Sequence, residues 1–113
     1  MIEIYHNPRC SKSRACESFL VTLHKPFKVI RYLDNPLNFD EIKSLLEKLE
    51  IPAIELIRKS EKIWNENYKD SIMTEDEIIG AMVDNPVLIE RPIIVNGNKA
   101  VIGRPVENID KII

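Results

Sequence analysis

Asn7-Pro8-Arg9-Cys10-Ser11-Lys12-Ser13-Arg14 holds the chain's most reactive combination of side chains, a thiol amid fixed positive charge. Ile2-Glu3-Ile4-Tyr5-His6 before it alternates apolar and polar residues like a short strand, and an amphipathic run follows without Gly or Pro. Cys10 therefore stands at a strand-to-helix turn, where unpaired helical N–H groups and the positive end of the helix dipole favour a thiolate. Arg9, Lys12 and Arg14 add to that field, as does His6 when protonated. An ordinary cysteine, with a pKa near ~8.5, is only slightly ionised at neutral pH, and a drop of roughly two units makes it mostly anionic. The implied chemistry is nucleophilic attack by sulfur, with cations at hand for a small anion.

The elements that must position this stretch follow in order. Ala15, Cys16, Phe19, Leu20 and Leu23 recur at spacings of three and four, the buried stripe of a helix over 11–23, stopped by Lys25-Pro26. Residues 27–33 have strand composition, completing a βαβ unit with two parallel strands, and Asp34-Asn35-Pro36 is a turn. Asn38 caps a helix carrying Phe39, Ile42, Leu45, Leu46 and Leu49, with Glu41 and Lys43 facing water, and Ile51-Pro52 breaks it. Residues 53–58 form a short helix with Pro52 in its first turn, and 59–72 read as a polar stretch anchored by Trp64 and Tyr68. Thr74-Glu75-Asp76-Glu77 is a capping box opening a helix to about Val83, before Asn85-Pro86. Residues 92–95 and 99–103 make an antiparallel hairpin around Asn96-Gly97-Asn98, and a helix over 106–113 closes the chain with Ile109, Ile112 and Ile113 toward the sheet.

This order predicts an α/β, thioredoxin-like fold with a mixed four-stranded sheet: one domain over residues 1–113, with a helical insertion at about 37–73. In such folds a proline ahead of the third strand is often cis and lies against the active cysteine, and Pro92 holds that place. With 113 residues and 44% hydrophobic content, the chain suits one domain rather than two. A net charge of −2 and a pI of about 5.7 argue against nucleic-acid and anionic-membrane partners. No apolar run approaches the ~20 residues of a membrane span and no signal core is visible, so the expected location is cytoplasmic. Cys10 and Cys16, on one helix, would lie about 9 Å apart, beyond disulfide reach, and His6 and His24 complete no metal-ligand spacing; no metal and no bound cofactor are expected.

Taken together, 5–14, Leu56-Ile57-Arg58-Lys59, 88–95 and Gly103-Arg104-Pro105 resemble the ArsC family of glutaredoxin-coupled arsenate reductases over nearly the whole chain. The resemblance implies Cys10 as nucleophile, His6 as the group that supports its thiolate, and Arg58, Arg91 and Arg104 as the clamp on arsenate or a similar oxyanion. Arginine suits that task because its planar fork of donors matches the oxygens. Ser13, Arg14 and Pro92 take supporting places; Arg14 has the alternative of a carboxylate on its own helix face. The implied reaction uses glutathione as co-substrate: Cys10 attacks arsenic, glutathione attacks the adduct, arsenite leaves, and glutaredoxin resolves the mixed disulfide. Ser13, where a Cys-x-x-Cys protein has its second thiol, fits that external route. The Cys-x5-Arg lineage is excluded because Cys16 stands at the arginine position. Two other functions compete: a Spx-like regulator binding RNA polymerase, which usually needs the switch that Ser13 removes, and a glutathione-dependent thiol oxidoreductase with another substrate. A monomer is the default.

Overall fold

A computed structural model describes all residues, 1–113. Its contacts divide the chain into two compact units, one of residues 1–35 and 91–113 and the other of residues 36–90. The first is a mixed four-stranded sheet with helices, the α/β architecture expected. β1 (Ile2–Tyr5) lies beside β2 (Phe27–Ile30), β3 (Ile93–Asn96) and β4 (Lys99–Ile102) in the order β2-β1-β3-β4. β1 runs parallel to β2 and antiparallel to β3, and β3 pairs antiparallel with β4. The parallel pair requires a crossover, supplied by α1 (Ser11–Thr22).

Ile2 and Ile4 of β1 and Ile94 of β3 join Cys16 and Leu20 of α1, with Ile109 and Ile112, in one core. Each fully buried Leu or Ile contributes about 1.5–3 kcal/mol of transfer free energy. Cys16 and Leu20 are buried and Phe19 and Leu23 partly so, whereas Ala15, counted above in the same stripe, is exposed. The stripe is thus narrower than its spacing suggested. His24, in the left-handed conformation at φ 55, closes α1 with its N–H on the Val21 carbonyl, so the helix stops before Lys25-Pro26. β2 is shorter than its composition suggested, because the chain turns at Arg31, whose carbonyl accepts from the Asp34 and Asn35 N–H groups. At the hairpin Asn96 still pairs with Lys99, leaving a two-residue loop in which Gly97 takes φ 65. Residues 106–111 form a 3₁₀ helix rather than an α-helix.

The second unit is helical. α2 (Phe39–Leu49) and α5 (Glu75–Asp84) each begin with a reciprocal capping box, Asn38 with Glu41 and Thr74 with Glu77. α3 ends early, at Ala53–Leu56, with Pro52 as its N-cap rather than inside its first turn. The Glu75 carboxylate accepts the Ala53 N–H at 2.8 Å and so ties α5 to α3. Within the stretch read as polar, given no helix of its own inside the insertion, lies a further helix, α4 (Lys62–Asn67). Trp64 is buried there and stacks on Tyr68, ring centroids 5.7 Å apart, a pair that a one-turn offset brings together on one helix face. Beyond a 3₁₀ turn at Pro86–Leu88, Ile89 bridges antiparallel to Ile57. No helix in either unit is long and apolar enough to cross a membrane.

Candidate active site

The loop between β1 and α1 is folded by Asn7. Its side-chain oxygen accepts the Arg9 N–H at 3.0 Å, and its carbonyl accepts the Cys10 N–H at 3.0 Å. Arg14 donates from Nη1 to the Pro8 carbonyl at 2.8 Å, closing the loop from outside instead of pairing with a carboxylate on its helix. These bonds deliver Cys10 to the N-cap of α1 with extended backbone angles, φ −97 and ψ 122. Its sulfur makes no conventional capping hydrogen bond, but the N–H groups of Ser13 and Lys12 act on it as oriented dipoles.

Two arginines reach the same sulfur from the hairpin. The Gly103 N–H donates to the Pro92 carbonyl at 2.9 Å, one rung beyond the paired residues Ile93 and Ile102, so Arg91 and Arg104 emerge side by side just past the ladder. Arg104 donates from Nε to the Arg91 carbonyl at 2.6 Å and from Nη2 to Cys10 Sγ at 3.3 Å. Arg91 hydrogen-bonds the sulfur through its own side chain. Partial burial raises the Cys10 pKa, but the Ser13 N–H, the Arg91 guanidinium, the Lys12 N–H and the Arg104 charge together outweigh it, and the net shift is downward. The peptide bond between Arg91 and Pro92 is cis, and so is the one between Arg104 and Pro105.

His6 is buried, and its Nδ1 pairs with Ser13 Oγ at 2.7 Å. Ser13 Oγ also accepts the Asn7 N–H at 3.0 Å, so this fully buried hydroxyl joins the end of β1 to the first turn of α1. His6 is thus joined through the Ser13 side chain to the residue whose backbone N–H acts on the sulfur. On the other side of the ring, Nε2 lies 4.0 Å from the Glu17 carboxylate.

Arg58 belongs to the helical unit. Its N–H donates to the Leu88 carbonyl and the Glu90 N–H to the Leu56 carbonyl, at 2.7 and 2.8 Å. The pairing sets Arg58 against Glu90, the residue before Arg91. Its guanidinium is divided between two carboxylates, Nε with Glu61 at 3.1 Å and Nη1 with Glu90 at 3.3 Å.

Comparison with known proteins bears on this arrangement. The sequence pattern of the ArsC family matches residues 5–112. The chain belongs to the ArsC family. It is similar to an arsenate reductase of Neisseria meningitidis serogroup A, 38% identical over 99% of this chain and 97% of that protein. It is also similar to YfgD of Escherichia coli K12, described as uncharacterized, at 44% identity over 99% of this chain and 96% of that protein. Among solved structures it matches an arsenate reductase from Vibrio cholerae with a TM-score of 0.95 and 37% identity, covering 99% of this chain and 97% of that one. The thioredoxin-like fold expected from the order of elements is the fold of these ArsC relatives.

Of the ArsC site residues read from sequence, Cys10, His6, Ser13, Arg14, Arg91, Pro92 and Arg104 all lie in the sheet unit, and Arg58 in the helical one. Sequence reasoning missed Asn7, Glu17, Glu61 and Glu90. Asn followed by Pro is turn chemistry and could have disclosed Asn7. Glu17, four residues after Ser13, shares its helix face, a spacing that was also available. The two carboxylates on Arg58 leave no such local signal.

Proposed function

We propose that this ArsC protein reduces arsenate to arsenite with glutathione as the source of electrons and glutaredoxin as the protein that regenerates it. The observation that carries this reading is the convergence of Arg91 and Arg104 on the Cys10 sulfur, which is anionic more readily than an ordinary thiol. A nucleophile flanked by two fixed cations suits an electrophile that is itself a tetrahedral anion, since the same forks that hold the thiolate can take the substrate oxygens. Each such bond contributes about 1.5–3 kcal/mol when desolvated. The family resemblance names Arg58 as a third anion-holding residue; within its own unit its guanidinium is paired with Glu61 and Glu90.

In the first step the Cys10 thiolate attacks arsenic, a sulfur–arsenic bond forms, and one arsenate oxygen leaves with two protons as water. A glutathione thiolate then attacks the Cys10 sulfur. The electron pair of the sulfur–arsenic bond stays with arsenic, which falls from As(V) to As(III) and departs as arsenite, while the two sulfurs are oxidised to a mixed disulfide. A glutaredoxin thiolate attacks the glutathione sulfur and frees Cys10 as thiolate. Two features support an external second thiol. Ser13 fills the place of an internal one, and Cys16 is buried with its Sγ on the Gly103 carbonyl at 3.2 Å.

The test is NADPH oxidation in the presence of arsenate, glutathione, glutaredoxin and glutathione reductase. Arsenate-dependent turnover that disappears in Cys10→Ser is the expected result; its absence from the wild type at saturating thiol overturns the reading.

A further inference from the structure

A groove of about 470 Å³ opens on the sheet unit, lined by Lys12, Ala15, Arg104, Pro105, Val106 and Glu107. Two of these residues also act on the reactive sulfur: Arg104 through Nη2 at 3.3 Å, and Lys12 through its backbone N–H. The groove therefore shares two lining residues, Lys12 and Arg104, with the surroundings of Cys10. Its volume lies in the range of small-ligand sites, roughly 300–1,000 Å³. The other depression at this loop, around His6, Arg9 and Arg31, holds only about 210 Å³, and Arg31 there is already paired with Asp34 at 3.3 Å.

The groove's chemistry is mixed in a specific way. Ala15, Pro105 and Val106 form an apolar wall, and Lys12 and Glu107 are exposed charges of opposite sign, neither engaged in an ion pair within the chain. A ligand that answers all of this has a short uncharged middle, an anionic group and a cationic group, with a thiol placed to meet Cys10. We propose that the groove seats the second thiol of the reaction, a γ-glutamyl tripeptide of the glutathione type, with a carboxylate on Lys12 and its α-ammonium group on Glu107. The inference rests on the thiol-dependent reaction proposed above and assigns a place to its co-substrate. A minimal thiol such as 2-mercaptoethanol has neither charge, so the groove discriminates against it.

The experiment uses S-methylglutathione, which keeps the tripeptide but can form no disulfide. Titrated into the ¹⁵N-labelled protein, it is expected to shift the amides of Ala15, Val106 and Glu107 saturably. Glu107→Lys and Lys12→Gln should each weaken that binding by about threefold to fivefold, the usual scale for an exposed charge pair. In coupled turnover Glu107→Lys should raise the KM for glutathione by the same factor and leave the KM for arsenate unchanged or lower, because the added charge is positive. Shifts confined to His6, Arg9 and Arg31, or no saturable shift anywhere, overturn the inference, as does an unchanged glutathione KM in Glu107→Lys. Binding in the groove without any arsenate turnover leaves the inference standing and removes arsenate as the substrate; turnover without binding there does the reverse.

Discussion

Cys10 and Cys16 stand on one helix, six residues apart, and their surroundings drive them in opposite directions. Cys10, at the N-cap, is only partly buried, and the Ser13 and Lys12 N–H groups together with Arg91 and Arg104 favour its anion. Cys16, less than two turns further on, is fully buried beside Leu20 and Ile94, and burial pushes its thiol up to about 11 despite the Arg104 charge. Arg104 acts on both sulfurs, yet only one ionises easily. A nearby cation is therefore insufficient. What separates the two is access to several donors at once, available at a helix start and absent from its packed middle.

That contrast can be broken or sharpened in four ways. The largest effect is expected from Cys10→Ser, which should lower arsenate-dependent turnover on the order of a thousandfold or more, as loss of a nucleophile does, while Cys16→Ser keeps most of it. Equal losses in coupled NADPH oxidation would erase the distinction. Next, Arg91→Ala and Arg104→Ala should each lower kcat/KM about tenfold to a hundredfold, the kinetic equivalent of one charge-assisted hydrogen bond. Both should also move the pH midpoint of Cys10 alkylation by iodoacetamide upward; an unmoved midpoint would mean that these guanidiniums do not hold the thiolate.

The third test addresses Cys16. A Cβ added at Gly103 would lie 2.5 Å from Cys16 Sγ and 2.8 Å from Ile94 Cδ1. Gly103→Ala should therefore lower stability by about 1–3 kcal/mol in urea unfolding, and Cys16→Ala in the same chain should return part of it. The smallest effect is in the pH dependence of stability, where the two cysteines have opposite signs. The folded pKa of Cys10 is lowered, so its contribution is complete above the unfolded value near 9.0 and is lost as pH falls through the folded value. The folded pKa of Cys16 is raised, so its contribution is complete below 9.0 and is lost as pH rises toward about 11. Urea midpoints of the wild type, read against each Cys→Ser variant, should rise with pH below 9.0 for the first and fall above it for the second.

Local chemistry was legible in the sequence and packing was not. Asn38 and Thr74 announce their helices because a cap is a contact between residues three apart; the Thr74 box forms as read, and Asn38, read only as a cap, forms a second box with Glu41, which was expected to face water. Cys10 was legible as a helix start because alternating strand residues give way there to an amphipathic run. α4 escaped detection because Lys62–Asn67 has no apolar repeat and its buried face is one aromatic pair, Trp64 on Tyr68. Ala15 was misplaced because its spacing says which residues share a stripe but not how wide a stripe the sheet can cover. At the site, the resemblance to the ArsC family, not residue type alone, singled out Arg91 and Arg104, and the hairpin register sets them together; the Glu61 and Glu90 partners of Arg58 depend on pairing between 56–58 and 88–90, which no local rule discloses.

The place of Cys10 at the helix N-cap has one more consequence, for the bond it forms rather than the attack it makes. Once its sulfur is joined to another in a mixed disulfide, the amide dipoles of Lys12 and Ser13 and the two guanidiniums still favour negative charge there. Cys10 is then the better leaving group of the pair, since the sulfur with the lower thiol pKa departs faster. An incoming thiolate is steered to the partner sulfur, and the helix start sets the direction in which the disulfide opens.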